Sequence, residues 1–200
     1  MNDATALKFL KDLKKTCKEN GVHLYKSKKS VIAISPGIYC SGYFQETPKR
    51  VLAIATGSPE WFPVLVHESC HMDQWLEKSP LWENNVSCDY VDAWLGGDRV
   101  RNIEGHINNV RDLELDCEKR VVEKIKQLGL NINIEEYIQK ANCYVLFYNY
   151  IKTTRAWAKP GKSPYLIEEL WRHAPNYFLD NYDNDVLVLK DKFDEFEVCK

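Results

Sequence analysis

The chain has 200 residues, of which 44% are hydrophobic, and a net charge of −2. This composition is typical of a folded globular protein of about one domain, which excludes a disordered chain. The two signs of charge are interspersed, so no nucleic-acid surface is predicted. No apolar run approaches the roughly 20 residues of a membrane span, and the charged N-terminus does not resemble a signal peptide.

The seven cysteines indicate a reducing compartment. Their number is odd, their spacing is scattered and no C-x-x-C pair is present, so neither a disulfide framework nor a zinc ribbon is predicted. We therefore expect free thiols and a cytoplasmic location. The small size, the aromatic richness and the lack of a transport signal suit a stand-alone accessory protein, for example a phage-encoded one.

The first quarter of the chain predicts one helix followed by short strands. Residues 4–18 place apolar side chains at helical spacing between lysines, and Gly21 suits the C-terminal cap. Several β-rich runs follow within residues 22–56, and Val51–Ala55 is the clearest of them. We expect these runs to form a small antiparallel or mixed sheet that supplies part of the core.

His67, Glu68 and His71 form the pattern H-E-x-x-H on a helix predicted over about residues 59–77. Residues four apart share a helix face, so the two histidines can bind one metal ion. Glu68 can then act as general base toward a metal-bound water, as in zinc-dependent peptidases. Cys70 is interpreted as a small buried residue. The helix start is marked by a capping serine, a proline and a glutamate: Ser58, Pro59 and Glu60.

Two long helices are predicted after the motif. Residues 79–101 are polar and aromatic, and we expect a long loop there with a short helix around residues 87–95. Apolar periodicity predicts helices over residues 102–128 and 134–157. Near the end of the chain, residues 165–172 favour a short helix and residues 186–189 favour a strand.

The helix over residues 102–128 carries acidic side chains on its apolar stripe. Glu114 lies between two positions of that stripe, Val110 and Cys117, and Glu118 lies one turn further on. A buried carboxylate is costly unless it is paired or bound to a metal. Glu114 is therefore either the third metal ligand or a residue at the edge of the stripe that reaches water, and the sequence leaves both interpretations open.

A catalytic zinc site takes three protein ligands, and the third ligand distinguishes the classes. Gln74 and Glu77 stand where a metzincin would have glycine and histidine, so that class is excluded. The pairing of H-E-S-C-H with the downstream L-E-L-D-C-E-K-R-V-V resembles the gluzincin-type zinc metallopeptidases, which include the minigluzincins and the ImmA/IrrE-like proteins. The likeness spans about residues 42–122.

The resemblance implies a role for each downstream carboxylate. It makes Glu114 the zinc ligand and gives Glu118 the task of orienting a zinc-bound histidine, as outer carboxylates do in many zinc sites. The family pattern has aspartate at the second position, so Glu118 departs from it. The resemblance also implies an exposed sheet edge near the zinc that holds an extended peptide. Residues 51–56 are the candidate for this edge, and the alternative is that they form a plain core strand.

The implied fold is a single zincin-like α+β domain over residues 1–200. A small sheet would pack on the active-site helix and on the second ligand-bearing helix, in a motif-bearing core of about residues 22–128. Further helices would follow over about residues 134–200. The implied partner is a protein or peptide substrate, with no nucleic acid and no membrane.

The implied activity is that of a zinc metalloendopeptidase, which hydrolyses peptide bonds with a zinc-activated water and Glu68 as general base. Two alternatives stay open: a metallopeptidase-like fold kept for binding or sensing with little or no hydrolysis, and a zinc hydrolase of non-peptide amides. The class usually has a further donor to the oxyanion. Five residues are candidates for that donor: His106, Tyr144, Tyr148, Arg155 and His173.

Overall fold

The computed structural model describes residues 4–35, 38–159, 161–183 and 186–199, which form an α+β fold with a small mixed sheet, as predicted. The strands in these ranges are β1 (His23–Ser27), β2 (Ile32–Ser35), β3 (Ile38–Cys40), β4 (Gly42–Gln45) and β5 (Val51–Ala55). The α-helices are α1 (Ala4–Glu19), α2 (Trp61–Leu76), α3 (Pro80–Glu83), α4 (Val86–Leu95), α5 (Ile103–Leu128), α6 (Ile134–Thr154), α7 (Glu168–Trp171) and α8 (Val186–Glu195). The seven cysteines are free thiols, as predicted.

Two compact units make up the chain. The first comprises residues 1–79 and 120–132, and the second comprises residues 80–119 and 133–200. Helix α5 is continuous and contributes residues to both units. The prediction of one zincin-like domain stays a prediction.

The first unit contains a three-stranded sheet in the order β1-β5-β4. β1 runs parallel to β5 and β4 runs antiparallel to it, which makes the sheet mixed. Residues Leu52 to Ala55 of β5 are fully buried, as expected of a continuous apolar strand covered on both faces. The expectation that residues 51–56 form an exposed edge is therefore wrong, because both sides of β5 are already hydrogen-bonded. β4 is one edge of this sheet.

Helix α2 begins at Trp61, two residues later than predicted. Its first helical hydrogen bond runs from the amide of Val64 to the carbonyl of Glu60, at 3.0 Å. The later start follows from Pro63, which lacks an N–H and is therefore best placed in the first turn, where none is needed. Glu60 is the N-cap, and no side chain caps the helix, so the predicted cap by Ser58 is wrong.

The last turns of α5 are bonded to α2 within the first unit. Lys124 Nζ donates to Asp73 Oδ2 at 2.6 Å and to Ser69 Oγ at 2.9 Å. Arg120 Nη1 donates to Glu77 Oε2 at 2.7 Å. These contacts fix the end of α5 beside the helix that carries the H-E-x-x-H motif.

The second unit is helical and is organised around α6. Twelve residues of α6 are buried between Tyr137 and Ile151, which agrees with its nearly uniform apolar sequence. Asn133 caps its start by accepting from the amides of Glu135 and Glu136. The helix ends at Thr154, since Arg155 adopts a left-handed conformation with φ 47°.

Two predictions about this unit are wrong in type or extent. Residues 79–101 contain two helices: α4 agrees with the short helix expected around residues 87–95, whereas α3 lies where only loop was expected. Residues 186–189 begin helix α8 and do not form a strand. Leu189 and Phe193, one turn apart on α8, are both buried, so these two residues lie on a buried face of that helix. A short apolar run alone cannot distinguish the two structures.

Candidate metal centre

His67 and His71 lie one turn apart on the same face of α2. Their ring centroids are 4.7 Å apart and the rings are nearly perpendicular, at 86°. His71 is buried, and His67 is partly exposed. The H-E-x-x-H spacing therefore brings two imidazoles together on one helix, as predicted from the period of the α-helix.

Cys117 on α5 joins these two histidines. One ligand atom from each of His67, His71 and Cys117 lies within 4.8 Å of the other two, and the Cys117 side chain is fully buried. From the sequence, Cys117 was assigned to the apolar stripe of α5 and was not predicted as a ligand. Its position one turn after Glu114, on the same helix face, could have indicated Cys117 as a candidate ligand.

The donor set fits a metal ion of the zinc type. Thiolate and imidazole are common zinc ligands, and bonds of about 2.0–2.3 Å place tetrahedral ligands about 3.3–3.8 Å apart. The observed separations, of up to 4.8 Å, are therefore compatible with closure around one ion after a shift on the order of 1 Å. A His-His-Cys group that could bind a metal ion is thus present, and its chemistry does not by itself identify the metal.

Glu68 is buried beside the edge of the sheet. Its side chain is 7% exposed, and a Cβ built on Gly42 of β4 would lie 3.1 Å from Glu68 Cγ and 2.8 Å from Val64 Cγ1. Real Cβ contacts are not this short, so a glycine is needed for β4 to approach α2 so closely. Burial and, next, the Glu68 charge raise the pKa of the Cys40 thiol to about 12. Glu68 therefore lies next to β4, and its charge acts on the Cys40 thiol of β3.

Glu114 lies among aromatic and thiol side chains in the second unit. The residue is partly buried, and its Oε2 atom is shielded from solvent. Burial and, next, the negative charge of Glu114 raise the pKa of Tyr144, Tyr148 and Cys88, the last to about 12. Glu114 is not one of the three clustered side chains. Its role as the third metal ligand stays a prediction.

Glu118 is a buried carboxylate with a phenol as partner. It is 5% exposed and accepts a short hydrogen bond from the hydroxyl of Tyr137 on α6. This bond lowers the cost of burying the carboxylate, because charge-assisted hydrogen bonds are among the stronger ones. The role of Glu118 in orienting a metal-bound histidine stays a prediction.

The five candidate oxyanion donors have different surroundings within the second unit. The hydroxyls of Tyr144 and Tyr148 are 3.1 Å apart in the buried region around Glu114. His106 contacts Ser87 Oγ at 3.2 Å, and its ring packs on a tyrosine. Arg155 donates to the carbonyl of Trp94 in α4 and to that of Asp98 after it, and His173 is exposed. The tyrosine pair is thus the candidate that shares its surroundings with a predicted ligand.

Comparisons with protein-family models, with curated proteins and with solved structures return no match for this chain. The gluzincin resemblance therefore depends on the motif residues alone. Within the described residues, no helix has both the length and the apolar content needed to cross a membrane.

Proposed function

We propose that this chain is a zinc-dependent hydrolase of the gluzincin type that cleaves peptide bonds, with His67 and His71 as metal ligands and Glu68 as general base. The observation that carries the proposal is the convergence of both histidines with a third donor, Cys117, beside the buried Glu68. Such a helix-borne histidine pair adjacent to a carboxylate is the arrangement that H-E-x-x-H metallopeptidases use for hydrolysis.

Two ligand sets are consistent with the third position. Glu114 is the ligand in the gluzincin pattern, whereas Cys117 is the residue clustered with the histidines. The two lie about one turn apart on the same face of α5, so both project from the same side of that helix. A glutamate ligand leaves the site suited to hydrolysis, and a thiolate ligand also occurs in catalytic zinc sites.

Different residues of the chain have different roles in the proposed hydrolysis. A bound zinc supplies Lewis acidity that polarises a carbonyl and acidifies water toward a pKa of about 7. The carboxylate of Glu68 accepts the proton of the attacking water and returns it to the leaving amine. With Glu114 as ligand, the neighbouring Tyr144 and Tyr148 hydroxyls are the nearest candidates for donating to the oxyanion.

The edge strand β4 is the proposed place for an extended peptide. It forms one edge of the sheet and approaches α2 closely at Gly42, next to Glu68. A peptide that adds to a sheet edge is held by backbone hydrogen bonds, which do not depend on its sequence. β4 therefore replaces β5 as the candidate substrate strand.

The activity is tested with protein purified without chelators. We expect about one zinc per chain, and hydrolysis of a fluorogenic peptide library that a chelator abolishes and added zinc restores. The matched variant Glu68→Gln keeps the shape of the side chain but cannot accept the proton, so hydrolysis falls about 10²–10⁴-fold with the zinc retained. Equal hydrolysis by Glu68→Gln, or no retained metal, contradicts the proposal. Bound zinc without hydrolysis favours the binding or sensing alternative.

The third ligand is identified by replacing zinc with cobalt. Cobalt bound to a thiolate shows a strong sulfur-to-metal charge-transfer absorption, which oxygen and nitrogen ligands do not produce. Cys117 as ligand predicts this band in the native protein and its loss in Cys117→Ser. Glu114 as ligand predicts no such band and a weaker metal affinity in Glu114→Gln.

A further inference from the structure

Gln74 is a fully buried amide that contacts the second histidine of the motif. Its Oε1 atom lies 2.8 Å from Nδ1 of His71, and both side chains are buried, at 0% and 7% exposed. The two residues are three positions apart on α2, so they lie on the same helix face. From the sequence, Gln74 indicated only that the chain lacks the metzincin continuation of the motif.

This contact determines which ring nitrogen of His71 carries the proton. An amide oxygen only accepts hydrogen bonds, so Nδ1 of His71 must be the donor. In the neutral imidazole, Nε2 then keeps its lone pair and is the nitrogen able to bind a metal. Metal-binding histidines commonly donate their other ring N–H to an acceptor in this way.

We propose that Gln74 is a positioning residue that holds His71 in the Nδ1–H tautomer and directs Nε2 toward the metal. The part of this inference that concerns the metal rests on the proposed function, whereas the tautomer of His71 does not. Donor and acceptor belong to one helix, so this contact is set by the geometry of α2. His71 is therefore already oriented for metal binding in the metal-free protein.

Two variants separate positioning from simple packing. Gln74→Leu is similar in size but has no acceptor, so we expect zinc affinity to fall about 10–100-fold. Gln74→Glu keeps an acceptor at the same place and is expected to restore affinity to the native value or above it. Zinc affinity is measured by competition with a chromogenic chelator. An unchanged affinity in Gln74→Leu, or no restoration by Gln74→Glu, overturns the metal-directing role.

The tautomer is measured directly in the metal-free protein. Long-range ¹H–¹⁵N NMR spectra, recorded above the ordinary histidine pKa of about 6.5, distinguish Nδ1–H from Nε2–H. We expect Nδ1–H for His71 in the native protein and in Gln74→Glu, and loss of that preference in Gln74→Leu. An Nε2–H signal in the native protein overturns the inference. Because this measurement needs no metal, it decides the role of Gln74 even if the protein binds no zinc or Gln74→Leu does not fold.

Discussion

Buried polar side chains have different partners in the two units. In the first unit they are concentrated on α2, where Glu68, His71 and Gln74 are all nearly inaccessible. These are residue types that bind metals, move protons or orient the groups that do so. His71 bonds to Gln74, so the partner of this buried histidine is another residue of the same site.

In the second unit, buried polar side chains hold an irregular segment in place. Asn142 Nδ2 donates to the carbonyls of Pro175 and Tyr177, each at 2.8 Å, and Asn149 Nδ2 donates to the carbonyl of Tyr182 at 2.6 Å. These carbonyls lie in a segment without regular structure, whose backbone needs partners. Burial of a polar group therefore does not by itself mark a functional site. The partner distinguishes structural support from chemistry.

Removal of the metal has the largest expected effect. A ligand that binds only the folded state stabilises it, by about 4 kcal/mol when free zinc is 1,000-fold above its dissociation constant. A chelator should therefore lower the free energy of unfolding by about this amount, as followed by denaturant unfolding. His67→Ala should unfold identically with and without zinc. Zinc-dependent stability in His67→Ala would place the metal elsewhere in the chain.

Asn142→Leu should lower stability by about 3 kcal/mol, because it leaves two backbone carbonyls and the Tyr182 hydroxyl without this partner. Zinc affinity should stay unchanged in the folded variant. Denaturant unfolding and chelator competition measure the two quantities. Asn131→Leu, at an exposed asparagine, is the control. A loss of zinc affinity with no loss of stability would show that Asn142 serves the metal site and does not support the irregular segment.

Gly42→Ala should lower stability by about 1–3 kcal/mol, since the new methyl group meets Val64, the Ala53 carbonyl and Glu68. It should also reduce peptide hydrolysis, because the strand and Glu68 are forced apart. The double variant Gly42→Ala/Val64→Ala removes the shortest contact, at 2.8 Å, and should recover part of the stability. Full activity and stability in Gly42→Ala would show that β4 does not depend on this close approach.

The smallest expected effect is on the reactivity of Cys40. Its pKa of about 12 makes the thiolate rare at pH 8, so alkylation should be slow and should rise about tenfold per pH unit until the pKa is approached. Glu68→Gln removes a negative charge that contributes to this shift, so the Cys40 pKa should fall and alkylation should accelerate several-fold. Site-resolved mass spectrometry measures the rates, with buried Cys143 as the internal control. An unchanged rate of Cys40 alkylation in Glu68→Gln would show that the Glu68 charge does not raise the pKa of this thiol.

Periodicity was sufficient to predict the main helices and the histidine pair. The α5 stripe repeats over many turns, and the predicted range 102–128 agrees with Ile103–Leu128. The spacing of His67 and His71 requires only the geometry of one helix. The α8 segment was mispredicted because four apolar residues fit a strand as well as a helix face. The start of α2 was predicted too early because Ser58 and Pro59 match the usual N-terminal signal of a helix. The position of Pro63 in the first turn is a weaker signal in the sequence.

Features that depend only on residues close together in the chain could be predicted from the sequence. They are the histidine pair, the adjacent Glu68 and the apolar stripe of α5. Features that depend on contacts between distant segments became known only from the tertiary structure. It placed β5 at the centre of the sheet, brought Cys117 to the histidines and set β4 against α2 through Gly42. The physical reason is that periodicity encodes the face of an element, whereas strand order and contacts between elements arise from packing.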